Sequence, residues 1–178
     1  MGSSLTFHCM TRGETRLQGV QAYTAWVEPK TVSSVIPLIM IRIVIDTNVL
    51  VAALRLRFGA SHALLLRLGT GAFEHALTVP LVMEYEDVLL RAGMVRVTTS
   101  AAQAVVDYLC ATGIAQPVHF LWRPLLPDPQ DDMVFEAAVG AVCKWIVTFN
   151  VRDFQAASGL GIGAITPAKF LDLLESPR

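Results

Sequence analysis

The chain has 178 residues, 53% of them apolar and 16% charged, with a mean hydropathy of +0.51. That length suits one domain of ordinary size, or one domain with an arm. So much apolar surface excludes a disordered or collagen-like chain, which cannot bury enough to offset its ordering entropy. With 14 basic and 15 acidic residues the net charge is −1. No general basic field therefore marks a partner bound by phosphate neutralisation alone, whereas an enzyme that meets phosphates through metal ions stays open. The longest charge-free runs, Tyr108–Trp122 and Phe154–Ala168, are broken by Pro, Gly or Gln. Both fall short of the about 20 apolar residues that cross a bilayer core, so no membrane span is expected. Cys9, Cys110 and Cys143 are odd in number, widely spaced and match no zinc pattern. They suit a reducing, cytoplasmic setting, and no secretory signal pattern opens the chain.

Residues 1–39 sustain neither a helical nor a strand period, and Tyr23 and Trp26 are their only large anchors. They read as an N-terminal extension, either an unordered arm or a stretch upstream of a true start at Met40, followed by one domain over 40–178. From Met40 the pattern alternates. Ile41–Ile45 is a β-branched run that stops at Asp46-Thr47-Asn48. Val49–Arg57 and Ser61–Leu68 have helical spacing, and Gly69 and Gly71 close the second. Ala76–Val79 reads as a strand, with Pro80 opening a helix to about Ala92. Thr98–Thr112 and Asp131–Cys143 read as helices, Trp145–Phe149 and Ala164–Ile165 as strands, and Pro167 opens a last helix to about Leu174.

Alternating strands and helices predict a small parallel sheet covered by helices on both faces, a three-layer α/β/α sandwich. Ligands of such sheets bind beyond the carboxyl ends of the strands, and acids gather there. Asp46 follows the first strand, and Glu84 lies in the helix after the second. Asp128, Asp131 and Asp132 cluster in LPDPQDD, and Asn150 and Asp153 follow WIVTF. Converging carboxylates repel one another and raise each other's pKa until a cation neutralises them. Oxygen ligands without His or Cys suit Mg²⁺ or Mn²⁺ rather than zinc. Each acid also has a plainer role: Asp46 as a helix cap, Asp131 as a good N-cap, Asp132 as a helix-dipole partner, Asp128 as a turn residue, Asp153 as the cap of a short helix in RDF, and Glu84, Glu86 and Asp87 as a solvated helix face, the reading favoured for the last two. No side-chain nucleophile stands out, because Ser61 and Cys143 lack a placed base and His62, His75 and His119 read as structural or surface residues. Arg55, Arg57 and Arg152 lie near the strand ends, where they would either meet a phosphate or stay solvated as isolated basic residues.

The order RIVIDTNVLVAAL, LTVPLVMEYEDVLLR, LPDPQDDMVFEAAVGA, WIVTFNVRDF resembles the PIN-domain nucleases, over residues 40–174. It is most similar to the bacterial branch of toxins from toxin–antitoxin pairs, related to VapC-type ribonucleases. That resemblance implies Mg²⁺- or Mn²⁺-dependent hydrolysis of RNA, a cognate antitoxin partner, and a homodimer. Position by position it implies catalytic and metal-binding roles for Asp46, Glu84, Asp132 and Asp153. Asn48, Thr148, Asn150 and Asp131 would support them, Thr148 by hydrogen bonding near the first Asp. Many relatives carry Asp where this chain has Asn150, which keeps a second reading open: a catalytically weak or inactive binding module on the same scaffold. A third is another Mg-dependent phosphoesterase. A haloacid-dehalogenase-like phosphatase would need an acid at Asn48, and a receiver domain a late Lys.

Overall fold

Arg42–Ile45 (β1) forms the centre of the sheet because Ile43, Val44 and Ile45 are apolar on both faces and wholly buried, the pattern of a strand covered on both sides. A computed structural model describes residues 40–176 apart from 92, 120, 122 and 125. The expected extension over 1–39, with Cys9, Tyr23 and Trp26, lies outside the described residues, as does Ala92. β1 pairs in parallel with β2 (Glu74–Leu77) on one side and with β4 (Trp145–Val147) on the other. β3 (Ile114–Ala115) extends the sheet beyond β2, and β5 (Gly163–Ile165) extends it beyond β4. The order is β3-β2-β1-β4-β5 and every pairing is parallel, so all carboxyl ends open on one edge.

The helices are α1 (Thr47–Arg55), α2 (Ala60–Leu65), α3 (Val79–Leu90), α4 (Thr99–Thr112), α5 (Asp132–Gly140) and α6 (Pro167–Glu175). α5 packs on β1, β2 and β4, while α1 packs on α2 and α3, α3 on α4, and α2 on α6. This is the expected α/β/α sandwich. Its core joins Ile43, Ile45, Ile146 and Val147 of the sheet to Phe135, Tyr85, Leu89 and Leu109 of the helices. Phe73 and Phe170 meet edge to face at 5.3 Å.

Several boundaries differ from the sequence expectation, each for a local reason. β2 begins and ends two residues early, because Thr78 leaves the ladder to cap α3 by accepting a hydrogen bond from the Leu81 amide at 3.4 Å. Pro80 then sits in the first turn, where its missing N–H costs nothing. β4 stops at Val147, since the Thr148 hydroxyl accepts from the Asn150 amide at 2.9 Å and turns the chain. α5 ends at Gly140 rather than at Cys143, and Val142 adopts φ 53, a left-handed conformation rare for β-branched residues. β3 has no counterpart in the sequence pattern, and the short helix that Asp153 could cap in RDF lies slightly later, as a 3-10 turn over Gln155–Leu160. Two residues of strand carry no detectable period, and β3 is held by its neighbour, with the Gln116 amide donating to the Leu77 carbonyl at 2.7 Å.

Candidate active site at the carboxyl edge of the sheet

Asp46 leaves β1 at its carboxyl end, caps α1 and is 5% exposed. Its Oδ2 accepts from the Thr148 hydroxyl at 2.6 Å and from Asn48 Nδ2 at 2.7 Å. Burial pushes the Asp46 carboxyl above its ordinary range, against the hydrogen bonds from Thr148, Asn48 and Thr47. Asn48 in turn accepts from the Phe149 amide at 3.4 Å. The first and fourth strands are thus stitched together beyond their ends by Asp46, Asn48 and Thr148, the expected supporting contact for Thr148.

α3 is tied to the same edge through Tyr85, whose hydroxyl donates to the Ile45 carbonyl. Tyr85 is wholly buried, and burial together with the Asp46 charge holds its phenol well above 10. With Tyr85 anchored inward, its neighbour Glu84 reaches the cavity beyond the strand ends. Glu86 instead accepts from Gln103 at 3.3 Å, and Asp87 pairs with Arg91 on the outer face, as a solvated helix face would.

The two acids at the start of α5 part company. Asp132 is 0% exposed, and its Oδ1 accepts from the Leu126 amide at 3.0 Å, which staples the preceding loop to the helix. Asp131 precedes it with helical φ and ψ, so its side chain makes no cap hydrogen bond and the expected N-cap role is not realised. It faces the cavity, and its Oδ2 is buried without a hydrogen-bond partner among the described residues. Its carboxyl is pushed up to about 6, first by burial and then by the charges of Asp46, Asp128, Asp153 and Asp132. Asp153 lies one turn past Asn150, its amide donating to the Asn150 carbonyl at 3.0 Å.

A cavity of about 850 Å³ collects these groups. Asp46, Asn48, Glu84, Asp128, Asp131 and Asn150 line it, whereas Asp132, Thr148 and Asp153 do not. Of the arginines expected near phosphate, Arg55 lines the cavity and Arg57 and Arg152 stand outside it. Sequence reasoning missed Arg96, which lines it too, and the Tyr85 anchor; nothing local to either residue signals its place. Cys143 is buried at the opposite end of β4 with its thiol pushed up to about 12, so it is no nucleophile.

The donor set is all oxygen, which fits a hard divalent cation. The orphaned Asp131 Oδ2 and the mutual repulsion of five carboxylates fit one as well. Among the described residues no three acid, His or Cys side chains already close into a cation cage, since Asp46 is held on Thr148 and Asn48. No helix among the described residues is long and apolar enough to cross a membrane.

The fold has a counterpart in the crystal structure of VapBC2 from Rickettsia felis bound to a DNA fragment from their promoter. That match has a TM-score of 0.51 at 13% identity and covers 70% of this chain and 98% of the other. No curated relative matches the sequence. The model of the PIN domain matches residues 42–152, a stretch that begins with β1 and runs through Asp46, Glu84, Asp131 and Asn150 to the residue before Asp153, so the chain belongs to the PIN-domain family.

Proposed function

We propose that this protein is a divalent-metal-dependent ribonuclease that hydrolyses RNA phosphodiester bonds. One observation carries the reading: Asp131 faces the cavity at the carboxyl edge of the sheet with its Oδ2 buried and unpartnered among the described residues, its carboxyl pushed up to about 6 first by burial and then by four neighbouring acids. Stability alone does not reward such a concentration of like charge. Asp46, Glu84 and Asp131 would hold Mg²⁺ or Mn²⁺, with Asp153 and Asn150 completing the surroundings and Asp132 fixing the loop that presents Asp131. When bound, the cation supplies an activated water and offsets charge on the leaving oxygen. Thr148 and Asn48 hold the Asp46 carboxylate in one orientation, and the Tyr85 hydrogen bond keeps Glu84 over the site. Asp132 as the third acidic ligand, implied by the family resemblance, gives way to Asp131 because Asp132 is wholly buried under the Leu126 loop and does not line the cavity.

The toxin role in a toxin–antitoxin pair, with an antitoxin covering the acidic cavity, a homodimer and a cytoplasmic location, rests on the family resemblance and on the VapBC2 fold counterpart. Asn150, standing in the cavity where many relatives carry an acid, favours a second reading as a weakly active or inactive binding module. RNA cleavage by the purified chain separates the two. Cleavage with Mg²⁺ or Mn²⁺ that is lost in EDTA and lost in Asp46→Asn is the expected result. A folded protein that cuts no RNA with either cation would favour the binding module.

A further inference from the structure

The cavity carries charges of both signs. Arg55 and Arg96 share its lining with Asp46, Glu84, Asp128 and Asp131. The ion pairs among the described residues are Arg42–Glu74, Arg67–Glu175, Arg91–Asp87 and Arg123–Glu136, and none involves Arg55 or Arg96. Both arginines share the cavity with these acids yet form no direct ion pair with any of them, so their donors stay available to a ligand. A cation centre has no use for them, since they repel it.

Arg55 closes α1 and is held by the connection between α3 and α4. Its Nε donates to the Met94 carbonyl at 2.7 Å, and its Nη2 reaches Met94 Sδ at 3.4 Å. These bonds orient the guanidinium and leave Nη1, with its two N–H donors, without a partner among the described residues. Arg96 follows Met94 by two residues, is exposed, and donates to no described group. An oriented fork with free donors suits a phosphate better than a flexible ammonium would.

We infer that Arg55 and Arg96 bind a phosphate next to the one held over the acids, and so set the register of an unpaired RNA strand on the site. This rests on the nuclease reading above. The same lining also carries apolar Val51, Val88 and Met133. An unpaired nucleotide can lay its base there, while a duplex keeps its bases stacked inside. The arginines act in binding and register, and the acids in the chemical step.

The test is anisotropy of a labelled single-stranded oligoribonucleotide with the full chain, with Ca²⁺ present and in an Asp46→Asn background so that the strand survives, over a range of KCl. Arg55→Gln and Arg96→Gln are each expected to weaken binding about tenfold and to lower the slope of log K against log salt by about 0.7, the contribution of one phosphate contact on a single strand. Arg57→Gln and Arg152→Gln, outside the cavity, should leave both near the parent. Arg96 makes no described hydrogen bond, so its variant carries little folding risk, and thermal melting checks each protein. In cleavage, the arginine variants should raise KM at nearly constant kcat, and Asp131→Asn should lower kcat. A folded Arg55→Gln/Arg96→Gln double variant with the parent's affinity and salt slope would overturn the inference. Equal loss of binding to a duplex of the same length would overturn the unpaired-strand assignment. No cleavage by the parent would sink the nuclease reading while leaving the binding comparison intact.

Discussion

Asp131 and Asp132 are adjacent in sequence and identical in chemistry, yet one faces a cavity and the other the protein interior. About 100° of helical rotation separates neighbouring residues, enough to send one to solvent and the next to the core. Asp132→Ala leaves the buried Leu126 amide without its acceptor, and the expected cost is about 1–3 kcal/mol in chemical denaturation. Asp131→Asn removes a charge from a crowded field, so the folded state should be as stable as the parent or more so, while RNA cleavage is lost. The reverse pattern, a stable Asp132→Ala and an active Asp131→Asn, would exchange their roles. Thr148→Val keeps the shape and removes the hydroxyl that serves both Asp46 and the Asn150 amide. It should lose about 1–3 kcal/mol in the same assay. Asp46 and Glu84 were legible from strand ends and helix starts. The choice between Asp131 and Asp132 was not, because both occupy the same helix start and only the packed fold turns Asp132 inward under Leu126 and leaves Asp131 on the cavity.

Among the elements, β1, α4 and α6 lie close to the bounds that local pattern predicts, because each is bracketed by a turn, a cap or a proline. β2 was displaced because an apolar run does not say which residue leaves the ladder to cap the next helix; the Thr78 hydroxyl settles it. β2 also carries His75, buried to 2% exposure, whose Nε2 donates to the Leu109 carbonyl of α4 at 3.0 Å. Burial lowers its pKa below the ordinary 6.5, against that hydrogen bond. The folded state therefore favours neutral His75, and the unfolded chain binds the proton more readily once pH falls below 6.5. This contribution to stability is present above pH 6.5 and is lost as pH falls towards the folded pKa. His75→Gln should accordingly show a smaller loss of melting temperature than the parent between pH 7.5 and 5.5, and equal slopes would refute the assignment. Two glycines hold contacts that no periodicity announces. A Cβ on Gly113 would lie 2.7 Å from His75 Nε2 and 2.8 Å from the Leu109 carbonyl, and one on Gly163 would lie 2.2 Å from the Trp145 ring. Gly113→Ala, which meets backbone, should lower stability by about 1–3 kcal/mol in a urea melt.

For the molecule as a whole, the parallel sheet brings acids from four separate stretches of chain to one edge. A cation bound only by the folded form stabilises it by mass action. Mn²⁺ or Mg²⁺ should raise the melting temperature of the parent in a concentration-dependent way and leave Asp46→Asn and Asp131→Asn nearly unmoved. A shift equal in all three proteins would place the cation elsewhere. Hydrophobic period, caps and proline positions are local properties, and they were enough to predict the alternation of strands and helices, the parallel sheet and the acids at its strand ends. The tertiary structure alone decided that Thr148 holds Asp46 across 102 positions, that Asp131 rather than Asp132 opens on the cavity, and that Arg55 and Arg96 share its lining. Those facts depend on which side chains from distant segments meet once the sheet has closed, and no local pattern encodes a meeting between segments.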